Sequence, residues 1–555
     1  MMAAAAITPP ADGAREWLRL GRVAAAHQRK AEALAAEEAL AHDRSLPILL
    51  GAYAALQRAG AFDRCLGLMP EITHHPAAQG QSARERIQRL RLGLAGQLAM
   101  FDLIPQRRAC VLNTVPDRLC YVLHNSLPFA SGGYGTRAHG LSQGLAEAGL
   151  DVIVTTRPGF PGDVAAHRTT PEPEKKDGTA PRPAGSDTPD EPEIIDGITY
   201  TRIVRPSRKG LRYVQYVPAA AQALEAHFRT HRPALVMAAS NHLVALPALI
   251  AARRLGLPFV YEVRGFWEVT RLSRDAGYRD TATYEMQERL ETEVCLAADR
   301  VLTLTEPMRD ELVRRGVPAD RIALAPNACD PRRFTPAPRD AALAAELGIP
   351  ERVPVIGYVG TFVDYEGLDD LARACATLKA RGRAFRLLLV GNETTSADGH
   401  GPIAEAIRAI ATSGDFADWL IMPGRVPHED VARWYSLIDI CPFPRKPWPV
   451  CEMVSPMKPL EALAMEKAVL VPNLRALSAM IAPDRTGLVH APGDPLALAD
   501  ALDRLLDDPA LRQRLGRAGR AWVEAERTWS RVAQGVADIL RAIMTDDAFP
   551  GGARA

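Results

Sequence analysis

Residues Cys441–Val471 read CPFPRKPWPVCEMVSPMKPLEALAMEKAVLV, and the architecture turns on this stretch. The apolar run Leu437–Cys441 predicts a strand that stops at a proline-broken loop carrying Arg445, Lys446, Glu452 and Lys458. A helix is expected near Pro459, with Glu461 in its first turn, and a second apolar strand at Ala468–Val471. Proline suits the first helical turn because its missing N–H would be an orphan there in any case. Unpaired N–H groups at a helix start attract anions, and a lysine just upstream deepens the positive site. A carboxylate in the same place accepts hydrogen bonds from sugar or ribose hydroxyls. The pattern suits a ligand that is both phosphorylated and rich in hydroxyls.

At 555 residues the chain is too long for one core, so two or three domains are expected. The net charge is +1 and basic residues are not gathered into one block, which argues against nucleic acid as the main partner. The eight cysteines form no CxxC pair and no zinc-like spacing, so they read as buried or free thiols in a reducing compartment. The opening MMAAAAITPPADGARE lacks a basic segment followed by a long apolar run. Apolar stretches such as Leu243–Ala252 are too short to span a bilayer. The expected location is cytoplasmic, with peripheral contact at the inner face of the membrane left open.

Residues 1–112 read as a helical N-terminal extension, rich in Ala, Leu, Arg and Glu at helical spacing. They carry no cluster suited to chemistry, so a surface for protein or membrane contact is the expectation. Residues 113–332 read as a first α/β domain. Its strand Leu119–Leu123 is followed by HNSLPFASGGYGTRAHG, in which Gly132, Gly133 and Gly135 precede an amphipathic helix at Thr136–Ala148. Glycines there let backbone amides approach a ligand at the C-terminal edge of a parallel sheet, or simply make a tight turn. Further strands are expected at Asp151–Thr155, Leu235–Ala239, Phe259–Val263 and Arg300–Thr305. Residues 168–196, dense in Pro and charge, read as a mobile insertion. Residues 333–555 read as a second α/β domain, with strands at Pro354–Val359, Leu387–Val390 and Leu420–Met422 and a terminal helix from about Trp529.

Ser455-Pro456-Met457-Lys458-Pro459-Leu460-Glu461-Ala462-Leu463-Ala464 resembles the donor-site signature of retaining GT-B glycosyltransferases of family four, in the branch reading V-S/T-P-L-K-P-L-E-A-M-A. The resemblance covers about residues 119–545 outside the insertion, and the order of its motifs is more specific than any one of them. It implies two Rossmann-like domains facing a cleft, with a terminal helix crossing back over the first. It also implies transfer of a sugar from a nucleotide-diphosphate donor to a glycan or lipid-linked acceptor, with retention. In that reading Gly132 and Gly133 face the donor diphosphate, and Gly360 and Thr361 end the first strand of the donor domain. Arg425 and Val426 lie where the family's backbone holds the base, and Ser455 and Leu460 belong to the signature itself. Arg264, Trp267 and Glu268 fall where the family keeps reaction-centre and acceptor residues; an ordinary Arg264–Glu268 pair at i, i+4 is the plain alternative.

Two departures matter. The family has seven residues between its two loop glutamates, whereas Glu452 and Glu461 have eight between them and Met453 holds the regular position. Most members also carry an arginine and a lysine where this chain has Thr361 and Glu366, so the positive charge must come from Arg445, Lys446 and Lys458. Lys458 and Arg445 are assigned to the diphosphate, Glu461 to donor hydroxyls and Glu452 to the sugar ring. No D-x-D occurs, no cofactor beyond the donor is implied, and fixed cations in a dry cleft suffice for the leaving group without metal. A non-catalytic scaffold is the alternative that Thr361 and Glu366 motivate. An epimerase would need other cleft acids and bases, and a dehydrogenase would need GxGxxG where the chain has GGYG.

Overall fold

The computed structural model describes residues 29–59, 61–98, 103–130, 132–164, 192–393, 401–427 and 430–545. Two sheets organise the chain. The first contains β1 (Val115–Leu123), β2 (Asp151–Thr156), β3 (Glu193–Ile195), β4 (Ile198–Thr201), β5 (Pro233–Ala239), β6 (Phe259–Val263), β7 (Arg300–Thr303) and β8 (Ile322–Leu324). Their spatial order is β3-β4-β2-β1-β5-β6-β7-β8, parallel except for the antiparallel β3–β4 pair. The second contains β9 (Val355–Val359), β10 (Arg386–Val390), β11 (Leu420–Gly424), β12 (Ile440–Pro442), β13 (Ala468–Pro472) and β14 (Leu488–His490), all parallel, in the order β11-β10-β9-β12-β13-β14. Helices cover both faces, which is why β9 and β13 are buried along their whole length and read as continuous apolar runs. This is the GT-B architecture of two Rossmann-like domains.

The strand orders locate the cleft. In the first sheet the order reverses at β1, which pairs with β2 on one side and β5 on the other. In the second it reverses at β9, between β10 and β12. Ligands of open parallel sheets bind outside the C-terminal ends of the strands at such switch points. The Gly132–Gly135 loop follows β1 and Gly360-Thr361 follows β9, so each sheet brings its glycine turn to its own switch point.

Helix Trp529–Thr545 packs along helix Gly133–Glu147 and so ties the end of the chain to the first domain. The approach depends on two glycines one turn apart. A Cβ at Gly140 would overlap the Trp529 indole, and one at Gly144 would lie 2.6 Å from Ala533 Cβ and 2.7 Å from the Trp529 carbonyl oxygen. In the N-terminal extension, helices Arg29–His42, Leu46–Ala59, Phe62–His74 and Gln81–Leu98 enclose a separate small core around Ala36, Leu49, Tyr53 and Ile72. Residues 107–112 then lie against the first domain, where Arg107 pairs with Asp299 at 3.0 Å and Val111 N–H donates to the Leu255 carbonyl.

One boundary expected from sequence is corrected. The insertion's residues 168–191 lie outside the described residues, as do residues 1–28 of the extension, but Glu193–Ile195 is a strand. It forms a hairpin with β4 through Asp196-Gly197, both at positive φ (48° and 82°). Asp-Gly between β-branched residues is a strong tight-hairpin signal, and here it outweighs the polar composition upstream.

Candidate functional site at the cleft

The donor loop runs from the end of β12 into helix Lys458–Ala464, with a one-turn helix, Pro449–Met453, inside the segment expected to be irregular. Lys458 extends across the end of β9, and a Cβ at Gly360 (φ 152°) would overlap its Cε and Cδ. Glycine is therefore required there to let the lysine stem pass. Its Nζ lies 2.9 Å from Glu366 Oε1. Arg445 meets the same carboxylate with two hydrogen bonds, Nη2 to Oε1 at 2.8 Å and Nε to Oε2 at 3.2 Å, and Nη1 donates to the Val454 carbonyl at 3.0 Å. Glu366 and Arg445 are buried, and Lys458 is partly exposed. Burial alone would push the Glu366 carboxyl up, but Arg445 and Lys458 outweigh it and hold the group at about 2. The acid that stands where most members of the resembled family carry a cation is thus an internal counter-ion to Arg445 and Lys458. The three side chains together carry a net charge of +1.

The other loop residues divide by what they touch. Lys446 Nζ pairs with Asp369 at 3.0 Å. Glu452 accepts the Arg475 backbone N–H at 3.1 Å, at the start of helix Arg475–Ser478. Glu461 is half-buried; burial pushes its carboxyl up, against the pull of Lys458 and Arg333. Leu460 packs into the core, so only its backbone can serve the site. The helix start offers fewer amides than its sequence suggests. Leu460 and Glu461 N–H groups both donate to the Met457 carbonyl, and Pro459 has none. Thr361 is exposed at the end of β9, and Arg425 and Val426 follow the end of β11, Arg425 exposed and Val426 partly so.

The first domain meets this loop directly. A Cβ on Gly133 would lie 3.5 Å from Met457 Cε, and one on Gly265 would lie 3.7 Å from Val454 Cγ2. Ser455 is buried, and its carbonyl accepts from Asn327 Nδ2 at 2.8 Å. Asn327 Oδ1 in turn accepts from Arg137 Nη1 at 3.1 Å. Arg137, on the helix that begins at Gly133, also binds the Ala325 and Pro326 carbonyls and grips Glu262 with Nε at 3.0 Å and Nη2 at 2.7 Å. A chain of charge-assisted hydrogen bonds therefore links the glycine loop to the donor loop across the domain boundary.

Arg264 and Glu268 do not pair with each other. Arg264 is buried; its Nε meets Glu262 at 2.8 Å, Nη1 donates to the Tyr134 carbonyl at 3.0 Å, and Nη2 meets the Tyr121 hydroxyl. Burial pushes Glu262 up, and Arg264 and Arg137 outweigh that, holding it at about 2. Arg264 thus shapes the cleft floor from beneath. Glu268 is buried against Arg315 at 2.8 Å, whereas Trp267 is exposed and meets the His124 ring edge-on at 5.2 Å. Sequence reading passed over Glu262, Arg137 and His124. The signal for the first was present: a carboxylate in the middle of FVYEV must be paired if that strand is buried.

Two α/β domains with facing switch-point loops, a cation pair on one side and a glycine turn on the other, are the arrangement of a GT-B glycosyltransferase. Family models agree: residues 132–328 match the glycosyl transferase 4-like domain and residues 340–522 match glycosyl transferases group 1. The chain belongs to the GT-B glycosyltransferases. It is 28% identical to the D-inositol 3-phosphate glycosyltransferase of Streptomyces avermitilis, over 57% of this chain and 67% of that protein. The fold is similar to that of sucrose-phosphate synthase from Thermosynechococcus elongatus, with a TM-score of 0.59 at 22% identity, covering 77% of this chain and 99% of that one. It is also similar to Anabaena HepE in complex with UDP, with a TM-score of 0.56 at 14% identity, covering 77% and 100%. No group of His, Cys, Asp and Glu suited to a metal occurs among the described residues. No described helix is long and apolar enough to cross a membrane.

Proposed function

We propose that the protein transfers a sugar, with retention, from a nucleotide-diphosphate donor to a glycan or lipid-linked acceptor in polysaccharide or envelope glycan assembly. The observation that carries this reading is the position of Lys458, crossing Gly360 at one switch point beside the contact between Met457 and Gly133 of the other. In this reading Lys458, backed by Arg445, neutralises the leaving diphosphate, and amides of the Gly132-Gly133 and Gly360-Thr361 turns approach it. Glu461 accepts hydrogen bonds from donor hydroxyls, and these offset the burial that raises its carboxyl pKa. Glu452 reaches the sugar from the loop, Arg425 and Val426 flank the base, and Trp267 lines the acceptor side. The absence of D-x-D in the sequence, together with these fixed cations, supports a metal-independent reaction with no further cofactor. The chain acts on the cytoplasmic side, with the N-terminal helices available for partner or membrane-surface contact.

A panel of nucleotide sugars scored for protection against thermal unfolding identifies the donor, and the anomeric configuration of the product tests retention. A protein that binds no nucleotide sugar, or a product of inverted configuration, overturns the proposal. The ion pairs from Glu366 to both cations favour one other reading, a non-catalytic nucleotide-sugar-binding scaffold. Transfer or donor hydrolysis by the purified protein excludes it.

A further inference from the structure

The wall of the cleft opposite the donor loop is built from the turns that follow β1, β2 and β4, which lie side by side because those strands are parallel neighbours. These turns pack on one another. Phe129 meets Phe160 edge-on at 6.2 Å, and a Cβ on Gly159 (φ 92°) would lie 2.8 Å from Ser207 Cα. The turn after β4, RIVRPSRKGLR over residues 202–212, holds five cations and no acid.

Within this wall Arg202 is paired with Glu193 at 3.0 Å, and the charge left to account for is that of Arg208. Asp163 is the carboxylate between the turns, and Arg157 already occupies both of its oxygens, at 2.6 and 2.9 Å. Arg208 lies close enough to Arg157 for their charges to repel, and it is exposed and makes no hydrogen bond or ion pair among the described residues. Beside the two guanidiniums, His124 Nδ1 and Asn125 Oδ1 are buried without a hydrogen-bond partner. The His124 ring is held at about 3 by burial and then by Arg157 and Arg208, so it is neutral at physiological pH. It stands between Tyr134 and the exposed Trp267, two residues after the Gly265 that touches the donor loop. Buried polar atoms without partners are costly, and a second cation beside a carboxylate already paired with the first is costly too. A bound oxyanion relieves the second cost, and hydroxyls carried with it relieve the first.

We propose that this wall is the acceptor subsite and that it takes an anionic acceptor, its carboxylate or phosphate bound by Arg208 beside Arg157, with hydroxyls of the same molecule bonded to His124 Nδ1 and Asn125 Oδ1. The inference deepens the transferase reading and rests on it. The shared chemistry is an oxyanion on a polyhydroxyl body, supplied either by an acidic sugar or by a phosphate-linked one.

The test uses the full chain with its donor site filled by whichever of UDP, GDP and ADP it binds, and follows acceptor binding by calorimetry. Methyl glucuronide and glycerol phosphate serve as the anionic probes and methyl glucoside as the neutral one. Both anions, or whichever of the two matches the natural acceptor, bind at least about tenfold more tightly than the neutral glucoside, since hydrogen bonds to charged groups are worth that much or more. Arg208→Gln removes the difference, and Arg208→Lys keeps part of it; Arg208 is exposed, so its variants fold. A preference for glucuronide points to an acidic sugar, and a preference for glycerol phosphate to a phosphate-linked acceptor. Equal binding of glucoside and both anions, or a preference that survives Arg208→Gln, overturns the subsite. Failure of UDP, GDP and ADP alike to bind refutes the donor reading instead and is seen separately.

Discussion

Replacing Lys458 by methionine keeps the stem that crosses Gly360 and removes one charge. Its ammonium lies 2.9 Å from Glu366, which Arg445 continues to hold through two hydrogen bonds of 2.8 and 3.2 Å. The variant therefore folds, at a cost of about 1–3 kcal/mol for one charge-assisted hydrogen bond. The effect on chemistry is larger. The net charge of the three side chains falls from +1 to zero, and a phosphate oxygen about 4 Å from the ammonium loses an attraction of about 4 kcal/mol at an effective dielectric near 20, before desolvation. Charge grows on the phosphate as the glycosidic bond breaks, so the loss falls on turnover more than on donor affinity. The expected fall in turnover is about a hundredfold or more, measured as single-turnover sugar transfer alongside calorimetric binding of the donor. Gly360→Ala should reproduce part of this fall, because its Cβ displaces the lysine stem. A folded Lys458→Met protein with near-normal turnover would refute the phosphate assignment. Glu366→Lys, which restores the cation usual in the resembled family, gathers three positive charges around one buried point and is expected to unfold before it can rescue anything.

Glu366 also sets a pH dependence. Its folded value of about 2 lies below the ordinary 4.5, so its contribution is complete above about pH 4.5 and is lost as pH falls toward 2. That contribution is about 3 kcal/mol, and Glu366→Gln should flatten this part of the curve when urea midpoints are compared at pH 3 and pH 7. Glu291 has the opposite sign. Burial first, and then the Glu268 charge, push its carboxyl up to about 7, so stability falls as pH rises from about 4.5 through 7. Glu291→Gln should gain about 1–3 kcal/mol at pH 8 and nothing at pH 4, and an equal effect at both would show that ionisation is not the cause. In the helix pair that ties the chain end to the first domain, Gly144→Ala should destabilise despite better helix propensity, since its Cβ meets Ala533 and the Trp529 carbonyl. Gly535→Ala, with open space around it, should stabilise by up to about 1 kcal/mol in the same denaturation assay.

The sequence by itself determined the elements that local chemistry controls. Apolar runs of five residues such as Val355–Val359 are strands because β-branched and aromatic side chains fill both faces of a covered sheet. The helix after Lys458 follows from its Pro459 start, and glycine turns at strand ends follow from the need for backbone to approach a neighbour. Those features were enough to read two successive α/β domains, and the resemblance of the Ser455–Ala464 motif implied that their loops face each other. Charge pairing was decided by the tertiary structure alone. Glu366 meets Arg445 and Lys458 from 79 and 92 residues away, and Asn327 meets Ser455 across 128. No spacing rule encodes such contacts, because they exist only once two sheets have placed their strand ends side by side. The same holds for Arg264. From sequence a plain partner for it was Glu268 at helical spacing, but residue 264 directly follows a strand, and the strand's period of two sets it on the side of Glu262 and into the protein. A side chain's type says which chemistry it is capable of. Whether that capacity is spent on a neighbour or kept for a ligand depends on burial and on what the fold brings within about 3 Å, and that is a property of the assembled chain.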